Sequence, residues 1–296
     1  MESKVAVNPV RKNKLIPWLF IAPALLLNVF VVLAPTLGTL ILSLTDWNGI
    51  AMPEFVGLSN YRRLFADPVF WKALSNNAIW LLVFTTVPAL LALVVANIMR
   101  GLKSSQMFFR SAYFMPNVIS TLVTARIWML IFSPMFGLNY VLGQMGITGL
   151  PNWLSDHRFT LLSVISVNIW QYWGFLMVLF LTAMQQADKE LEEAGRIDGA
   201  NGIQLFFHIL LPQLRPTIMT MLMLSMIWSM SAFDYVYVMT NGGPGRTTEL
   251  LATYMYKLAM YNNSSGYAST IALTMAVFSI IVLSIFNLLK RKGWDI

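Results

Sequence analysis

Charged residues suited to binding a partner are concentrated in one segment, residues 185–215, which lies between two long apolar stretches. Five of the chain's 13 acidic residues fall there: Asp188, Glu190, Glu192, Glu193 and Asp198. A charge is costly in the hydrocarbon core of a bilayer, so this segment must lie outside it. The sequence therefore predicts a water-exposed surface to which a soluble partner binds.

Helical spacing within this segment predicts two short helices joined by a sharp turn. Ala194 and Gly195 are small neighbours on one side of the first helix, where they would let another backbone approach. Gly199 permits a reversal at low steric cost, Asn201 is a helix N-cap residue, and Pro212 is predicted to end the second helix. Such an elbow could pass force into the spans; the alternative is an ordinary solvated hairpin.

Apolar stretches of about 20 residues recur along the chain, and each is long enough to cross a bilayer core of about 30 Å. Apolar residues make up 57% of the 296 positions and charged residues only 11%, against about 25% in soluble domains. The sequence predicts an all-α membrane protein with six transmembrane helices, in a single domain over residues 15–296 after a tail at 1–14. The predicted spans are residues 15–44, 77–99, 111–133, 160–184, 216–240 and 268–289.

The distribution of Lys and Arg predicts that both termini and the 185–215 segment are cytoplasmic. With the N-terminus inside, 13 of the 20 basic residues lie in inside segments, six lie in outside loops, and Arg126 lies within a span. The basic residues behind the net charge of +7 are scattered along the chain. Their placement is explained better by membrane topology than by a nucleic-acid-binding surface. The first apolar run is too long for a cleavable signal peptide and is expected to remain as an anchor.

The loop after the first span contains aromatic residues typical of a membrane interface. Residues from Ser59 to Asn76 are predicted to form an amphipathic helix on the outer surface. Asp234 and Arg126 are the charges deepest in the predicted spans, where they could pair with each other, bind a partner chain, or lie nearer the outer interface.

Motifs for other functions are absent from the sequence. There is no cysteine, so thiolate metal sites are excluded, and no metal site is predicted. There is no phosphate-binding loop of the form GxxxxGK[ST], so this chain is not expected to hydrolyse ATP. Neither HExxH nor GxSxG occurs, which argues against a membrane enzyme. A secondary transporter driven by an ion gradient would usually carry carboxylates near the midplane, and only Asp234 is a candidate.

The letters of the cytoplasmic segment resemble the EAA loop of the permease subunits of ATP-binding-cassette importers. Residues that carry the resemblance are Glu193, Ala194, Gly195, Asp198, Gly199, Ala200, Leu211 and Pro212. Gly195 stands where the family usually has Ala, a change expected to leave docking unharmed. The run Thr240-Asn241-Gly242-Gly243-Pro244-Gly245 resembles the outer loop of the carbohydrate branch, in particular the larger subunit of maltose-type transporters in a short form.

The resemblance implies the type I importer permease fold and a set of partners. It implies a heterodimer with a second permease, two ATP-binding subunits on the cytoplasmic side, and an extracytoplasmic solute-binding protein, in a bacterial inner membrane. ATP and Mg²⁺ would be used by the partner ATPase, and no cofactor by this chain.

The predicted fourth and fifth spans combine planar polar groups with aromatic rings, which suit sugar hydroxyls and sugar C–H faces respectively. By resemblance to the maltose-type subunit, eight positions are candidates for the carbohydrate pathway: Asn168, Gln171, Tyr172, Phe175, Ser225, Trp228, Ser229 and Ala232. Interhelical hydrogen bonds and packing are the alternative role for each of them.

Overall fold

The computed structural model describes residues 15–102, 105–230 and 232–289. The predicted tail at 1–14 and the basic residues 290–292 lie outside the described residues. The single domain predicted over 15–296 stays a prediction.

Helices make up most of the described chain, and an isolated bridge pairs Thr45 with Phe55. The helices are α1 (15–42), α2 (Ser59–Ala66), α3 (Pro68–Arg100), α4 (Gln106–Val118), α5 (Thr121–Ile131), α6 (Leu138–Gln144), α7 (Thr160–Gln186), α8 (Lys189–Ile197), α9 (Gly202–Gln213), α10 (Arg215–Met230), α11 (Asp234–Met239), α12 (Leu251–Met260) and α13 (Ser265–Leu289).

Four of these helices are long and apolar enough to cross a membrane: α1, α3, α7 and α13. They correspond to the first, second, fourth and sixth predicted spans. The total rises to six if each of two bent pairs counts as one span, α4 with α5 and α9 with α10. The all-α membrane fold is therefore confirmed with four to six candidate spans, while the orientation of the termini stays a prediction. The fifth predicted span corresponds to α10, because α9 belongs to the charged 185–215 segment.

The third predicted span, 111–133, is not one continuous helix. The chain leaves the helical conformation at Ile119, and the axes of α4 and α5 differ by 96°. A backbone carbonyl freed at such a break needs a hydrogen-bond donor. The Gln171 side chain on α7 supplies it, with its Nε2 2.5 Å from the Ile119 oxygen. The bend thus depends on a residue about 50 positions away, which local sequence does not reveal.

The fifth predicted span, 216–240, is also interrupted. Helix α10 ends at Met230, Phe233 has a non-helical φ of −127°, and a new short helix begins at Asp234. A carboxylate in the first turn of a helix is stabilised by the helix dipole. Asp234 therefore marks a helix start rather than a charge in the middle of a span.

Two π-helical turns precede prolines. The turns Val29–Leu33 and Phe206–Leu210 are each followed two residues later by a proline, Pro35 and Pro212. A proline lacks the N–H of a regular helix and its ring clashes with the carbonyl four residues back, so a wider turn before it relieves the crowding. Pro212 was predicted to end its helix, but the π turn lets the chain continue to Gln213.

The core of the protein lies between α3 and α7. Ala92 and Ala96 of α3 are completely buried, and their small side chains allow the close approach typical of membrane helices. Phe180 of α7 fills part of the same core. On another side of α7, Gly174 lies directly against the backbone of Tyr113 in α4, where a Cβ would overlap the Tyr113 carbonyl.

The amphipathic helix predicted over Ser59–Asn76 is shorter than expected. Helix α2 ends at Ala66, and a new helix, α3, begins at Pro68. Phe70 and Ala73 on the first turns of α3 are buried against α12 and α13, so this part belongs to the core rather than the outer surface. The proline at the first helical position and the N-cap residue Asp67 explain the boundary.

Asp67 also ties together three elements of the fold. Its carboxylate accepts hydrogen bonds from the hydroxyls of Tyr254 at 2.6 Å and Tyr267 at 2.7 Å. Burial alone would raise the pKa of Asp67, but these hydroxyls and the backbone N–H of Val69 hold its pKa below the usual value. The carboxylate is therefore ionised at neutral pH, and it fixes the start of α3 against α12 and α13.

Candidate functional site

The predicted elbow is formed by α8 and α9, and both of its ends are held by side-chain caps. The Asp188 carboxylate accepts from the Glu190 N–H at 2.9 Å, which caps α8. The Asp188 N–H in turn donates to the Gln213 side chain at 2.8 Å, so the start of α8 is fixed to the end of α9. The two ends of the elbow are therefore held next to each other, at the places where the chain leaves α7 and enters α10.

The turn between the two helices is a Schellman motif followed by a capping box. The Ala200 N–H donates to the Gly195 oxygen at 2.9 Å, and the Gly199 N–H donates to the Arg196 oxygen at 3.1 Å. Gly199 has a φ of +85°, a conformation that favours glycine. Asn201 and Gln204 then cap each other's backbone N–H at 2.9 Å. These local bonds account for the rigid turn that the sequence predicted.

Gly195 lies inside the elbow, beneath α9. A Cβ there would overlap the tips of Ile209 and Leu205. The glycine therefore lets α8 and α9 pack more closely than alanine would, a role that the sequence comparison alone did not reveal. Because the obstructing atoms are ends of flexible side chains, they could shift.

The candidate residues of the elbow divide into an exposed set and an internal set. Glu193, Ala194, Asp198 and Gly199 are exposed, while Gly195 is buried and Ala200, Leu211 and Pro212 are half-buried. The structure therefore places the first four on a surface that a partner could contact, and the others in the scaffold behind it.

Three large apolar side chains of the elbow are exposed beside these charges. Ile197 is 86% exposed, Ile203 72% and Phe207 55%. The apolar residues Ile203, Phe206, Phe207 and Leu210 are spaced i, i+3, i+4 and i+7 along α9, and of these only Leu210 is fully buried. Exposed apolar groups clustered on a charged loop are typical of a protein–protein contact. Ile197 is the last residue of α8, whose sequence is mostly charged, so the spacing of apolar residues did not identify it.

One ion pair connects the elbow to the transmembrane core. Arg100, the last residue of α3, contacts both carboxylate oxygens of Glu192 on α8, at 2.5 and 2.6 Å. Both side chains are partly buried, and the two-point geometry fixes their relative orientation. Movement of α8 would therefore be transmitted to α3. This pair joins residues 92 positions apart, so no local pattern predicted it.

Five of the eight pathway candidates meet at one cavity of about 430 Å³, located where α4, α5, α7 and the break after α10 come together. These five are Asn168, Gln171, Tyr172, Trp228 and Ala232. Residues of the breaks also line it and were not predicted: Asn117, Ile119, Ser120, Thr121, Phe233, Asp234 and Tyr235. The polar residues Asn117, Ser120 and Thr121 directly after Pro116, within an apolar stretch, were the signal that could have identified the first of these breaks.

Gln171 holds the wall of this cavity in place. Besides donating to the Ile119 carbonyl, its side-chain oxygen accepts a hydrogen bond from the Tyr235 hydroxyl. Gln171 is buried, and these two bonds join α7 to the α4–α5 break and to α11. Gln171 therefore positions the other elements of the cavity wall, because both polar ends of its side chain are already bonded within the protein.

Aromatic rings form the floor of the cavity. Tyr172 contacts Trp228 with ring centroids 4.6 Å apart, and Phe175 lies behind both, 5.7 Å from Tyr172 and 5.9 Å from Trp228. The Tyr172 hydroxyl is buried beside Ser225, and it makes no hydrogen bond of normal length with a described residue. The hydroxyl therefore lies inside the wall, and Tyr172 supports the Trp228 ring rather than presenting its own polar group to the cavity.

The two serine candidates lie away from the cavity. Ser225 and Ser229 are completely buried and bond within their own helix, to the carbonyls of Met221 at 2.9 Å and Met226 at 2.7 Å. Asp234 lines the cavity and is exposed, and Arg126 is exposed on α5. Among the ion pairs of the described chain, none joins these two residues.

The loop after α11, predicted to lie on the outer side, is shaped by a buried acid. The Glu249 carboxylate, 2% exposed, is 2.8 Å from the Lys257 ammonium group and accepts from Thr253 at 2.7 Å. Gly242 has a φ of +79° and lies so close to Glu249 that a side chain could not fit. The glycine-rich run from Thr240 is therefore packed over this carboxylate.

Comparison with known families and proteins gives a consistent result. Residues 90–293 match the family described as "Binding-protein-dependent transport system inner membrane component". The chain is similar to the probable ABC transporter permease protein YurN of Bacillus subtilis, with 37% identity over 94% of this chain and 97% of that protein. It is also similar to the lactose transport system permease protein LacF of Rhizobium radiobacter, with 35% identity over 90% of this chain and 91% of that protein.

The fold is similar to solved structures of a bacterial importer of the acidic polysaccharide alginate. One chain matches with a TM-score of 0.80 at 23% identity, covering 93% of this chain and 96% of that one. A chain of the alginate transporter in complex with alginate pentasaccharide-bound periplasmic protein matches with a TM-score of 0.83 at 20% identity, covering 94% and 95%. At this identity the similarity establishes the fold.

Proposed function

The chain belongs to the family of inner-membrane components of binding-protein-dependent transport systems, and on that premise we propose that it forms half of the pathway of an ATP-driven carbohydrate importer. As a multi-pass permease subunit it is a transporter component and not an enzyme. The relatives that support carbohydrate as the substrate include a lactose permease and the multiple sugar-binding transport system permease MsmF of Streptococcus mutans, 30% identical. Family membership argues against a secondary transporter driven by an ion gradient.

The observation that carries the proposal is the construction of the elbow. Ile197, Ile203 and Phe207 are exposed on the same two-helix elbow as the charged residues of α8 and the Gly199 turn. We propose that this surface docks into a cytoplasmic ATPase, with Glu193, Ala194 and Asp198 at the contact. The Arg100–Glu192 pair and the Asp188–Gln213 bond would pass movement of the ATPase into α3 and α10. Coupling of this kind requires that the ATPase contact differ between two states of the permease.

The proposed assembly contains a second, related permease, two ATP-binding subunits and an extracytoplasmic solute-binding protein, in a bacterial inner membrane. ATP and Mg²⁺ would be bound by the ATPase subunits, and this chain would bind neither. The second permease would supply the other half of the cavity wall.

The cavity is the proposed carbohydrate pathway. Trp228, which is exposed, offers an aromatic surface to sugar C–H faces, and Asn168 offers hydrogen-bonding groups to sugar hydroxyls. The buried Tyr172 supports the Trp228 ring. We assign Gln171 to holding the wall, Phe175 to packing behind the rings, and Ser225 and Ser229 to the helix interior.

Reconstitution tests the proposed function. The chain, its partner permease, the ATPase and the binding protein would be placed in liposomes, and uptake of labelled neutral sugars measured with ATP or with a proton or sodium gradient. We expect uptake that requires both ATP and the binding protein. Uptake driven by a gradient without ATP would contradict the proposal.

The Arg100–Glu192 pair gives a second prediction. Reversing either charge alone, by Arg100→Glu or Glu192→Arg, places two like charges together and should reduce uptake about tenfold while the ATPase still turns over. The double exchange restores the pair and should recover most of the uptake. The matched control combines Arg100→Glu with Glu190→Arg, because Glu190 lies on the same helix without contacting Arg100; this combination should not recover uptake. Equal recovery in both double variants would refute the coupling role.

A further inference from the structure

Four aromatic residues form a cluster beside the cavity, on the predicted outer side. Phe233 stacks on Tyr237 with centroids 4.9 Å apart, and Tyr256 of α12 contacts both rings at 5.2 Å. Tyr261 completes the cluster, 5.9 Å from Tyr256. The hydroxyls of Tyr237 and Tyr261 lie 2.8 Å apart. These residues come from two segments, so the cluster exists only in the folded protein.

The rings of the cluster are partly accessible to solvent. Tyr261 is 60% exposed, and the other three residues are half-buried. The partly exposed rings give the cluster an apolar surface, and the hydrogen-bonded hydroxyls of Tyr237 and Tyr261 give it a polar edge. Sugars have the complementary pattern, with apolar C–H faces and a rim of hydroxyls, so they stack on such rings.

The cluster is continuous with the transport cavity. Phe233 belongs to both, because it lines the cavity and stacks on Tyr237. A chain of sugar rings leaving the outer surface would therefore meet Tyr261, Tyr237 and Phe233 in turn before it reached Trp228. A single ring in the cavity would not extend to Tyr261.

The charge at this entrance selects among sugars. Asp234 follows Phe233 directly and is the charged residue among the described residues that line the cavity. Its exposed carboxylate can accept hydrogen bonds from sugar hydroxyls, but it would repel the carboxylates of an acidic sugar.

We propose that Phe233, Tyr237, Tyr256 and Tyr261 form an extracytoplasmic binding platform for a neutral oligosaccharide, which stacks on the platform while its leading ring occupies the cavity. The inference rests on the proposed carbohydrate import. It narrows the substrate from carbohydrates in general to neutral chains of several rings.

The test uses the reconstituted importer and series of malto-, cello- and galacto-oligosaccharides of one to five rings, with alginate oligosaccharides as the acidic comparison. Uptake kinetics would be measured for Tyr261→Ala, Tyr261→Phe and the control Tyr140→Ala, an exposed tyrosine on α6. We expect Tyr261→Ala to raise the KM for a transported oligosaccharide about tenfold with kcat unchanged. Tyr261→Phe, which keeps the ring, and Tyr140→Ala should both retain the wild-type KM.

Several results would overturn the platform. An unchanged KM in both Tyr261→Ala and Tyr237→Ala would show that the rings do not bind the substrate, as would a preference for single-ring sugars. Preferred uptake of alginate oligosaccharides would contradict the role of Asp234. Loss of co-purification of the partner permease with Tyr261→Ala would assign the cluster to the subunit interface instead. Absence of ATP-dependent uptake for every sugar, in the wild type, would contradict the proposed function itself.

Discussion

Replacing Gly199 with aspartate is expected to abolish ATP-coupled uptake while leaving membrane insertion intact. Gly199 has a φ of +85°, and a Cβ at this position would have no described atom within 4 Å apart from its neighbours in the chain. The substitution therefore creates no internal clash; it adds strain at the turn and a second carboxylate beside Asp198 on the proposed docking surface. We expect uptake to fall about 100-fold, the upper end of typical coupling free energies.

The isosteric variant Gly199→Asn separates the two causes. Asparagine has the size of aspartate and tolerates positive φ as well as aspartate does, but it carries no charge. Gly199→Asn should therefore retain clearly more uptake than Gly199→Asp. Insertion would be followed by the amount of protein extracted from the membrane, and docking by co-purification of the ATPase. Normal uptake in Gly199→Asp would contradict the proposed contact between the elbow and the ATPase.

The elbow could be predicted from sequence because the interactions that shape it are local. Gly199, Asn201 and Gln204 lie within six residues, and each acts on a backbone group within the same turn. A glycine at a turn, here Gly199, and a capping pair, here Asn201 and Gln204, can both be recognised from the amino-acid sequence alone. The alternation of long apolar stretches with charged loops likewise predicted the helical architecture.

The cavity could be predicted only in part because the breaks that form it depend on distant contacts. The α4–α5 bend is stabilised by Gln171, which is remote in sequence from Ile119. The local signals, Pro116 and the polar residues that follow it, do not by themselves indicate a right-angle break, so the predominantly apolar stretch 111–133 was interpreted as one straight span. The side of α7 that carries Asn168, Gln171 and Tyr172 was predicted, but the opposite wall, from Asn117 to Thr121, was missed.

The largest effect on folding is expected from Gly174→Ala. A Cβ at Gly174 would overlap the backbone carbonyl of Tyr113 and lie 3.3 Å from the Phe114 nitrogen. Backbone atoms cannot move aside as the tip of a side chain can, so α4 and α7 would have to separate. Overpacking of this kind costs about 1–3 kcal/mol or more, and here it would also displace the α4–α5 bend that forms the cavity wall. We expect a lower unfolding temperature in detergent and a reduced yield of monodisperse protein.

Gly143→Ala is the matched control for this prediction. Gly143 also lies in a helix, α6, but a Cβ there meets no atom within 4 Å. Alanine favours a helix over glycine by about 0.5–1 kcal/mol, so this variant should be as stable as the wild type or more so. Both substitutions change helix propensity in the same direction, but only Gly174→Ala disturbs the contact between α4 and α7. A difference in stability between the two variants therefore measures the effect of that contact. If both variants unfolded at the wild-type temperature, the contact between Gly174 and Tyr113 would not be a determinant of the fold.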